Sequence, residues 1–525
     1  MTRVEIEKKY LMLSVDENAE LRKLLFYQNG NLIFDLDVRL AAEGTCGTTY
    51  YVEIERFGSE VDIDVEPALE WEARQSDSDD SETLYREARR PLVHFTAKRG
   101  WINDPNGLTE YTSPVTGERV YHLFFQHNPC SVKWGNMHWG HAVSGDLLHW
   151  KQVDCALYPD ALGTMYSGSG IVDKENLSGL KDGAEDVLLC FYTAAGGENR
   201  MSQLAGAKYT QCLAYSTDGG ATFRKYGKNP IVPHISGANR DPKVIWCAPL
   251  GCYVMALYLE GDRYALLTSI NLTEWTPLQE LQLEGDDECP DFYPLVCADD
   301  GAEKWIFSGA SHHYVVGDFA DGKYVPSQRM KKLHYGTNSY ASQTISNVSD
   351  GRRINIAWDT VTIPDCVCNC HMGIPMEHTL RRKENEYYLC AQPVRELETL
   401  RGEKRMDFHF TGHIGGELPE SAELSLESDI RIGAEGEIRF TVYGAEFVCD
   451  LKNNRLTSFG RYEAPLALVG DEFRLRLVCD RNSIEIYAGD GEVYHVYTHV
   501  AENNRFAASA DVPTHVKAYG LTSIW

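Results

Sequence analysis

Ser144-Gly-Asp146-Leu-Leu-His-Trp150, Ser216-Thr-Asp218-Gly-Gly-Ala-Thr-Phe223 and Ser269-Ile-Asn271-Leu-Thr-Glu-Trp275 share one layout: a strand-ending Ser, an Asx residue two positions on, and an aromatic six or seven positions after the Ser. An Asp or Asn so placed caps the backbone of its own turn, while the aromatic plugs the space between neighbouring sheets. Spacings of 72 and 53 residues suit four-stranded propeller blades with long loops, and the 305 residues from 91 to 395 make about five blades of roughly 60. Three unrelated turns are the alternative reading of this repeat taken alone.

On either side the chain alternates polar and apolar residues, the period of sheets with one wet face. Leu32-Ile-Phe-Asp-Leu-Asp-Val38, Tyr50-Tyr-Val-Glu-Ile-Glu55 and Val61-Asp-Ile-Asp-Val65 predict a small sandwich-like β module over residues 1–75. The run Ser76-Asp-Ser-Asp-Asp-Ser-Glu82 has nothing to bury and predicts a linker over 76–90. Phe473-Arg-Leu-Arg-Leu-Val478, Ser483-Ile-Glu-Ile-Tyr487 and the turn Gly489-Asp-Gly491 predict a C-terminal β-sandwich over 405–525. The fold class expected is all-β: a small N-terminal β module, a five-bladed β-propeller over 91–395, and a β-sandwich.

The 525 residues carry a formal charge of −27, which argues against nucleic acid and anionic membranes as partners. No run of 18 apolar residues offers a membrane span. The start, Met1-Thr-Arg-Val-Glu-Ile-Glu-Lys-Lys-Tyr10, lacks a signal-peptide layout, and 15 scattered cysteines read as free thiols, so a cytoplasmic location is expected.

Three acidic residues of the middle region sit among turn-forming neighbours. Asp104 lies in Trp101-Ile-Asn-Asp-Pro-Asn-Gly107, where Pro and Gly set a tight turn; Asp241 follows Arg240, which is expected to hold it ionised; Glu288 lies in Asp286-Asp-Glu-Cys-Pro-Asp291, acidic enough to raise at least one pKa. A glycosidase needs such a set, one carboxylate for the reacting carbon and one carboxylic acid for the leaving oxygen. An Asp before Pro is otherwise an ordinary turn residue.

Trp101-Ile-Asn-Asp-Pro-Asn-Gly107, Phe124-Phe-Gln-His-Asn-Pro129, Trp134-Gly-Asn-Met-His-Trp-Gly-His141, Tyr166-Ser-Gly-Ser169, Arg240-Asp-Pro-Lys243 and Glu288-Cys-Pro-Asp291 resemble, in order, the motifs of glycoside hydrolase family 32, which holds invertases, inulinases and levanases. The resemblance covers roughly residues 85–525, and residues 1–75 look like a module found ahead of the catalytic domain in some bacterial levanases. It implies retaining hydrolysis of β-fructofuranosides (fructan, fructo-oligosaccharide or sucrose), fructose being released from the non-reducing end without a cofactor. By motif, Asp104 is implied as nucleophile, Glu288 as acid/base and Asp241 as transition-state stabiliser. Asn103, Gln126, Trp134, Tyr166, Ser167, Arg240, Trp358 and Glu377 match substrate-binding positions. Sugar C–H faces pack on rings while polar side chains select hydroxyls, which agrees with that mixture.

The sequence departs from the family at Asn338-Ser-Tyr-Ala-Ser-Gln-Thr344, where the pocket rim is expected to differ, and at the insertion-like Cys366-Val-Cys-Asn-Cys-His371. The cysteine spacing lacks a second zinc pair, so no metal is expected and reduced thiols or a homo-oligomer contact are the default. Two other functions stay open: a sialidase-like hydrolase, suggested by the Asp-box resemblance of Ser216–Phe223, and a fructan-binding protein without catalysis. Preferred linkage, and endo against exo attack, depend on loop shapes.

Overall fold

A computed structural model describes residues 1–42 and 47–525. Among these, five antiparallel sheets follow one another between residues 100 and 393. Blade I comprises Gly100–Thr112, Arg119–Asn128, His138–Ser144 and Lys151–Leu157; blade II Thr164–Asp173, Val187–Ala195, Thr210–Ser216 and Arg224–Lys225. Blade III comprises Arg240–Cys247, Cys252–Glu260, Arg263–Ser269 and Thr276–Gln282; blade IV Asp291–Val296, Glu303–Ser308, His313–Ala320 and Lys323–Pro326. Blade V is Ser339–Thr344, Arg353–Asp359, Met376–Lys383 and Glu386–Pro393. The first strand of each blade touches the first strand of the next. Blade V returns to blade I, where Ser346 exchanges backbone hydrogen bonds of 2.9 Å with Leu108 and Glu110. The ring is the five-bladed propeller the repeat predicts.

The repeat works as its chemistry requires. Asp146 accepts from the N–H groups of Leu148 and His149, Asp218 from that of Thr222, and Asn271 from those of Thr273 and Glu274, while each repeat's Ser hydroxyl donates to its Asx partner. Each aromatic then reaches the preceding blade. Phe223 of blade II meets Phe124 of blade I at 5.2 Å, and Trp275 of blade III meets Phe191 of blade II at 5.9 Å. Trp150 of blade I packs on Phe95, whose carbonyl is bound by Met372 beside blade V. The Asp218 turn is therefore part of the blade repeat.

Beneath the pocket the axis is polar. Lys243 of blade III and Asp291 of blade IV, each 1% exposed at the side chain, pair at 3.1 Å. Lys243 also donates to the carbonyl of Thr344 in blade V, and Asp291 accepts that residue's N–H. Gln343 of blade V crosses to the carbonyl of Gly168 in blade II.

The C-terminal part is one hydrogen-bonded sheet folded into two layers. The 17-residue strands Arg401–Glu417 and Arg505–Leu521 run through both; Arg505–Leu521 pairs Glu437–Val442 at its start and Ala422–Arg431 at its end. Its buried face is the core of Leu424, Phe440, Phe447, Leu475, Ile486 and Phe506. His94 joins it to the propeller, with Asp480 on one ring nitrogen and Glu485 on the other. Burial opposes charge on His94, but these two carboxylates outweigh it and push its pKa up to about 10.

The described strands between Thr2 and Ser76 form a four-stranded and a three-stranded sheet around Leu13, Phe26, Phe34, Tyr50 and Ile63. Glu60–Glu66 alternates buried and exposed residues as its sequence predicts. Along the stretch expected to be a linker, Asp79 pairs with Lys98, Asp80 accepts from Tyr51, and Tyr85 stacks on Trp525 at 4.2 Å. Asp79 and Asp80 find protein donors within reach, while Asp77 and Glu82 stay exposed. The fourteen described cysteines are free, and Cys46 lies outside the described residues. Among the described residues no helix is long and apolar enough to cross a membrane.

Lys243→Met leaves Asp291 charged, buried and without its cation, which costs about 3–5 kcal/mol. Its thermal unfolding midpoint is expected to fall by several degrees, and adding Asp291→Asn, which still accepts from Thr344, is expected to recover most of the loss.

Candidate active site

The first strands of blades I and III carry Asp104 and Asp241 to one end of the axis, the bend just ahead of blade IV's first strand brings Glu288 there, and in the other four blades the first ladder breaks at that end. Register shifts fall between Ile102 and Pro105, Tyr166 and Gly168, Arg240 and Lys243, and Tyr340 and Gln343. A bulge re-aims one side chain out of the two-residue alternation. Asp241 (φ 64°), Glu288 (φ 48°) and Cys289 (φ 33°) also hold left-handed backbone, uncommon for residues with a Cβ and concentrated at functional sites.

The result is a pocket of about 450 Å³ with Asp104, Asp241 and Glu288 in its lining. Asp104 accepts from Ser167 Oγ at 2.5 Å and from Asn103 Nδ2 at 3.1 Å; Asn103 is held in turn by Trp101 Nε1. Asp241 accepts from the Cys289 N–H at 3.1 Å, and the Cys289 thiol lies 3.5 Å from both Asp104 and Asp241. Arg240 bonds Glu288 Oε1, and the Tyr340 hydroxyl donates to Oε2 at 3.1 Å. Glu288 is thus gripped on both oxygens.

Burial raises the pKa of Asp104, with the bonds from Ser167 and Asn103 opposing it and the Glu288 charge adding to it. Asp241, only 6% exposed, corrects an expectation. Its Arg240 neighbour is 3.7 Å away, yet burial, with the charges of Glu288 and Asp104, outweighs the guanidinium and pushes Asp241 up to about 7. The expectation of a raised pKa in the acidic run is met at Asp287, again chiefly through burial.

Of the matched substrate positions, Asn103, Gln126, Trp134, Tyr166, Ser167, Arg240 and Trp358 line this pocket. Among the described residues, Gln126 Nε2 and Trp358 Nε1 have no hydrogen-bond partner within the protein, two buried donors suited to hydroxyl oxygens. Glu377 is not brought in. It pairs with Ile354, four residues along the strand from Trp358, and its carboxylate faces Arg352 at 3.9 Å. Asp286 and Asp291 also turn away: Asp286 binds the N–H groups of Ser311 and His313, and Asp291 is the partner of Lys243.

Sequence reasoning missed four lining residues: Met137, Tyr209, Ala238 and Tyr340. Tyr340 sits in the Asn338–Thr344 stretch, and the expectation that this stretch forms pocket rim was its signal; Tyr209 stands in a loop without a motif. In the cysteine-rich loop, Cys366 and Cys368 place their sulfurs 3.3 Å apart, while His371 turns inward to 4.3 Å from His94. His94, Asp359 and His371 form a close buried group, but both ring nitrogens of His94 are already taken by carboxylates. No loop cysteine belongs to it.

Residues 94–393 match the N-terminal domain of glycosyl hydrolases family 32 and residues 396–503 its C-terminal domain. A levanase of Bacillus subtilis (strain 168) is 34% identical over 474 residues, covering 80% of this chain and 67% of its own. An invertase of Schizosaccharomyces pombe is 33% identical over 327 residues, 57% of this chain and 54% of its own. The chain spans 49% of a second levanase, from Bacillus sp. (strain L7). Among solved structures, an exo-inulinase from Aspergillus awamori superposes with a TM-score of 0.74 at 23% identity, over 84% of this chain and 100% of that one. With both domain matches in order and the acids in one pocket, the chain belongs to glycosyl hydrolases family 32, and its chemistry is the hydrolysis of glycosyl bonds.

Proposed function

We propose that the protein releases fructose from the non-reducing end of β-fructofuranosides, with fructans, fructo-oligosaccharides and sucrose as substrates. The observation that carries this reading is the convergence of Asp104, Asp241 and Glu288 in a pocket walled by Trp134, Tyr166, Tyr340 and Trp358. About 450 Å³ accommodates a sugar ring, the ring walls take the C–H faces of that ring and, at the exposed Trp134 rim, of the unit beyond it, and Gln126 and Asn103 supply hydroxyl contacts. The names of relatives, levanase, fructan beta-fructosidase, invertase and exo-inulinase, support the same substrate class.

In this reading Asp104 attacks the anomeric carbon while Glu288 gives its proton to the departing glycosidic oxygen. The C–O bond to the leaving sugar breaks as the Asp104 ester forms. Glu288, now a carboxylate, takes a proton from water, which attacks the same carbon and frees fructose and Asp104. Hydrogen bonds from Ser167 and Asn103 favour the charged form of Asp104 and aim it. Arg240 and Tyr340 fix the plane of the Glu288 carboxyl. Asp241, ionised, stabilises the positive charge on the sugar in the transition state.

A sialidase-like role is disfavoured by the lining: among the described residues Arg240 is its one arginine, too few to clamp a sugar carboxylate. A binding protein without turnover is disfavoured by the presence of all three acids.

Asp104→Asn and Glu288→Gln are each expected to lower fructose release by 10³-fold or more, measured as kcat on sucrose and 1-kestose; unchanged release refutes the assigned roles. Time courses on levan and inulin are expected to yield fructose alone from the outset, and early oligosaccharides refute exo attack. Asp241 gives a stability test. An acid raised in the folded state contributes stability that is full below its unfolded value near 3.8 and is lost as pH rises through about 7. Asp241→Asn is therefore expected to raise the unfolding midpoint more at pH 8 than at pH 5 while abolishing activity.

A further inference from the structure

We propose that the N-terminal sheets form a working part of the pocket: Glu17 and Asp35 are positioning residues that hold the two loops carrying Trp134 and Tyr209, and so set the affinity for sugar units beyond the terminal fructose. The inference rests on the fructoside-hydrolase reading above. The matched family domains begin at residue 94, so these sheets precede them.

The first loop joins Asn128 to His138 and puts Trp134 on the rim, 53% exposed against 6% for Asp241 on the floor. Glu17, between the strands Tyr10–Val15 and Arg22–Gln28, receives Ser131 Oγ on both carboxylate oxygens and the N–H of Val132 at 3.0 Å, while its carbonyl receives Lys133 Nζ at 2.8 Å. Two residues beyond Trp134, Asn136 exchanges hydrogen bonds of 2.8 and 2.7 Å with the main chain of Asp37. The Cys130 side chain lies in the core of the N-terminal sheets. Trp134 is therefore bracketed on both sides by contacts to those sheets.

The second loop holds the helix Arg200–Ala205. Asp35, 4% exposed, accepts from the N–H groups of Arg200 at 3.0 Å and Met201 at 3.2 Å, and Arg200 reaches Glu66 at 2.9 Å. From the helix the chain leads to Tyr209, whose hydroxyl donates to Glu198 and whose ring meets Tyr166 at 5.7 Å. Tyr166 in turn meets Trp134 at 6.2 Å. Both loops thus end in one aromatic wall, Trp134–Tyr166–Tyr209.

The floor is independent of this arrangement. The side-chain partners of Asp104, Asp241 and Glu288 described above, Ser167, Asn103, Cys289, Arg240 and Tyr340, all belong to the propeller. Loosening the wall should weaken the hold on the departing part of the substrate and leave the bond-breaking groups in place. A fraction of an ångström at a positioning wall is enough for a large kinetic effect.

The test uses the full chain with Glu17→Ala and Asp35→Ala, assayed on sucrose, 1-kestose and inulin oligosaccharides of four or more units. KM is expected to rise about tenfold on the longer substrates and less on sucrose, with kcat within about twofold of wild type. Asp35→Asn keeps an acceptor for the helix N–H groups and is expected to restore most of the affinity. In a Trp134→Ala background, Glu17→Ala is expected to add less than a twofold change, because its effect travels through that ring. Glu17 lies in a surface loop outside the core, so its variant keeps the question answerable if Asp35→Ala does not fold. Unchanged KM with kcat reduced in proportion to the folded fraction, or full additivity with Trp134→Ala, overturns the inference while the function stands. A wild-type chain that releases no fructose from any of these substrates overturns both.

Discussion

The ion pair of Lys243 with Asp291 is the constraint on which the rest of the site hangs. It lies on the propeller axis at 1% exposure, and it joins the last residue of Arg240-Asp-Pro-Lys243 to the last residue of Glu288-Cys-Pro-Asp291. Two residues before the lysine is Asp241; three before the aspartate is Glu288. Both hold left-handed backbone, as does Cys289, whose N–H spans from one segment to the other. Such backbone costs on the order of 1–3 kcal/mol per residue and persists only where the surroundings over-determine it. Lys243, held by Asp291 and by the Thr344 carbonyl of a third blade, supplies that over-determination from below. A buried pair is weak evidence for stability, since desolvation of both ions offsets their attraction. Its value here is geometric, because no apolar pair could fix the end of a bulged strand to the start of its neighbour in direction as well as distance.

That pair also explains which part of the site was legible in the sequence. The Ser-x-Asx turns and their aromatics are local chemistry, and they gave the blades, their number and the inter-blade plugs. The alternating strands at both ends were legible for the same reason, as at Glu60–Glu66 and Glu472–Cys479. The convergence of Asp104, Asp241 and Glu288 was legible only through six motifs read together. What failed depended on direction. Asp286, Asp291 and Glu377 have the right residue type in the right neighbourhood, and each points elsewhere because a bulge, a turn or four residues of strand lies between it and the pocket. The sequence sets Asp286 and Asp291 beside Glu288; the fold gives Asp291 a lysine and Asp286 two backbone amides. Tyr209 was invisible because it owes its place to a loop fixed by Asp35, well over a hundred residues upstream.

Asp241 shows how burial overrides a neighbour. A guanidinium at 3.7 Å is the attraction that Arg-Asp in sequence leads one to expect, yet that guanidinium is shared with Glu288, and the carboxyls of Glu288 and Asp104 both face Asp241 in a dry site. The same crowding is what a glycosidase requires, because carboxyls that cannot all ionise together leave a proton available near neutrality. The cost falls on stability: raised acids, left-handed residues and the unpartnered donors of Gln126 and Trp358 all sit in one pocket. The blades around it are held by apolar cores, by the three capped turns and by the His94 junction, none of which needs the pocket to be comfortable.

This separates two kinds of support. The floor is built from strands that close a ring, so its geometry is set by the propeller itself and tolerates little change. The rim is built from loops, which a ring does not constrain, and Trp134 is more than half exposed. Loops of this length would ordinarily be mobile, and mobility at an aromatic wall weakens every contact the wall makes. Anchoring them from outside, through Glu17, the main chain of Asp37 and the carboxylate of Asp35, supplies rigidity without adding residues to the ring. The excess acidic charge of the N-terminal sheets thereby acquires a local use at two of its carboxylates: Asp35 accepts two main-chain N–H groups, and Glu17 one together with the Ser131 hydroxyl, at loops that would otherwise leave them to water. A floor fixed by closure and a rim fixed by a neighbouring pair of sheets can vary independently, so the reaction can be kept while the preference for what departs is altered.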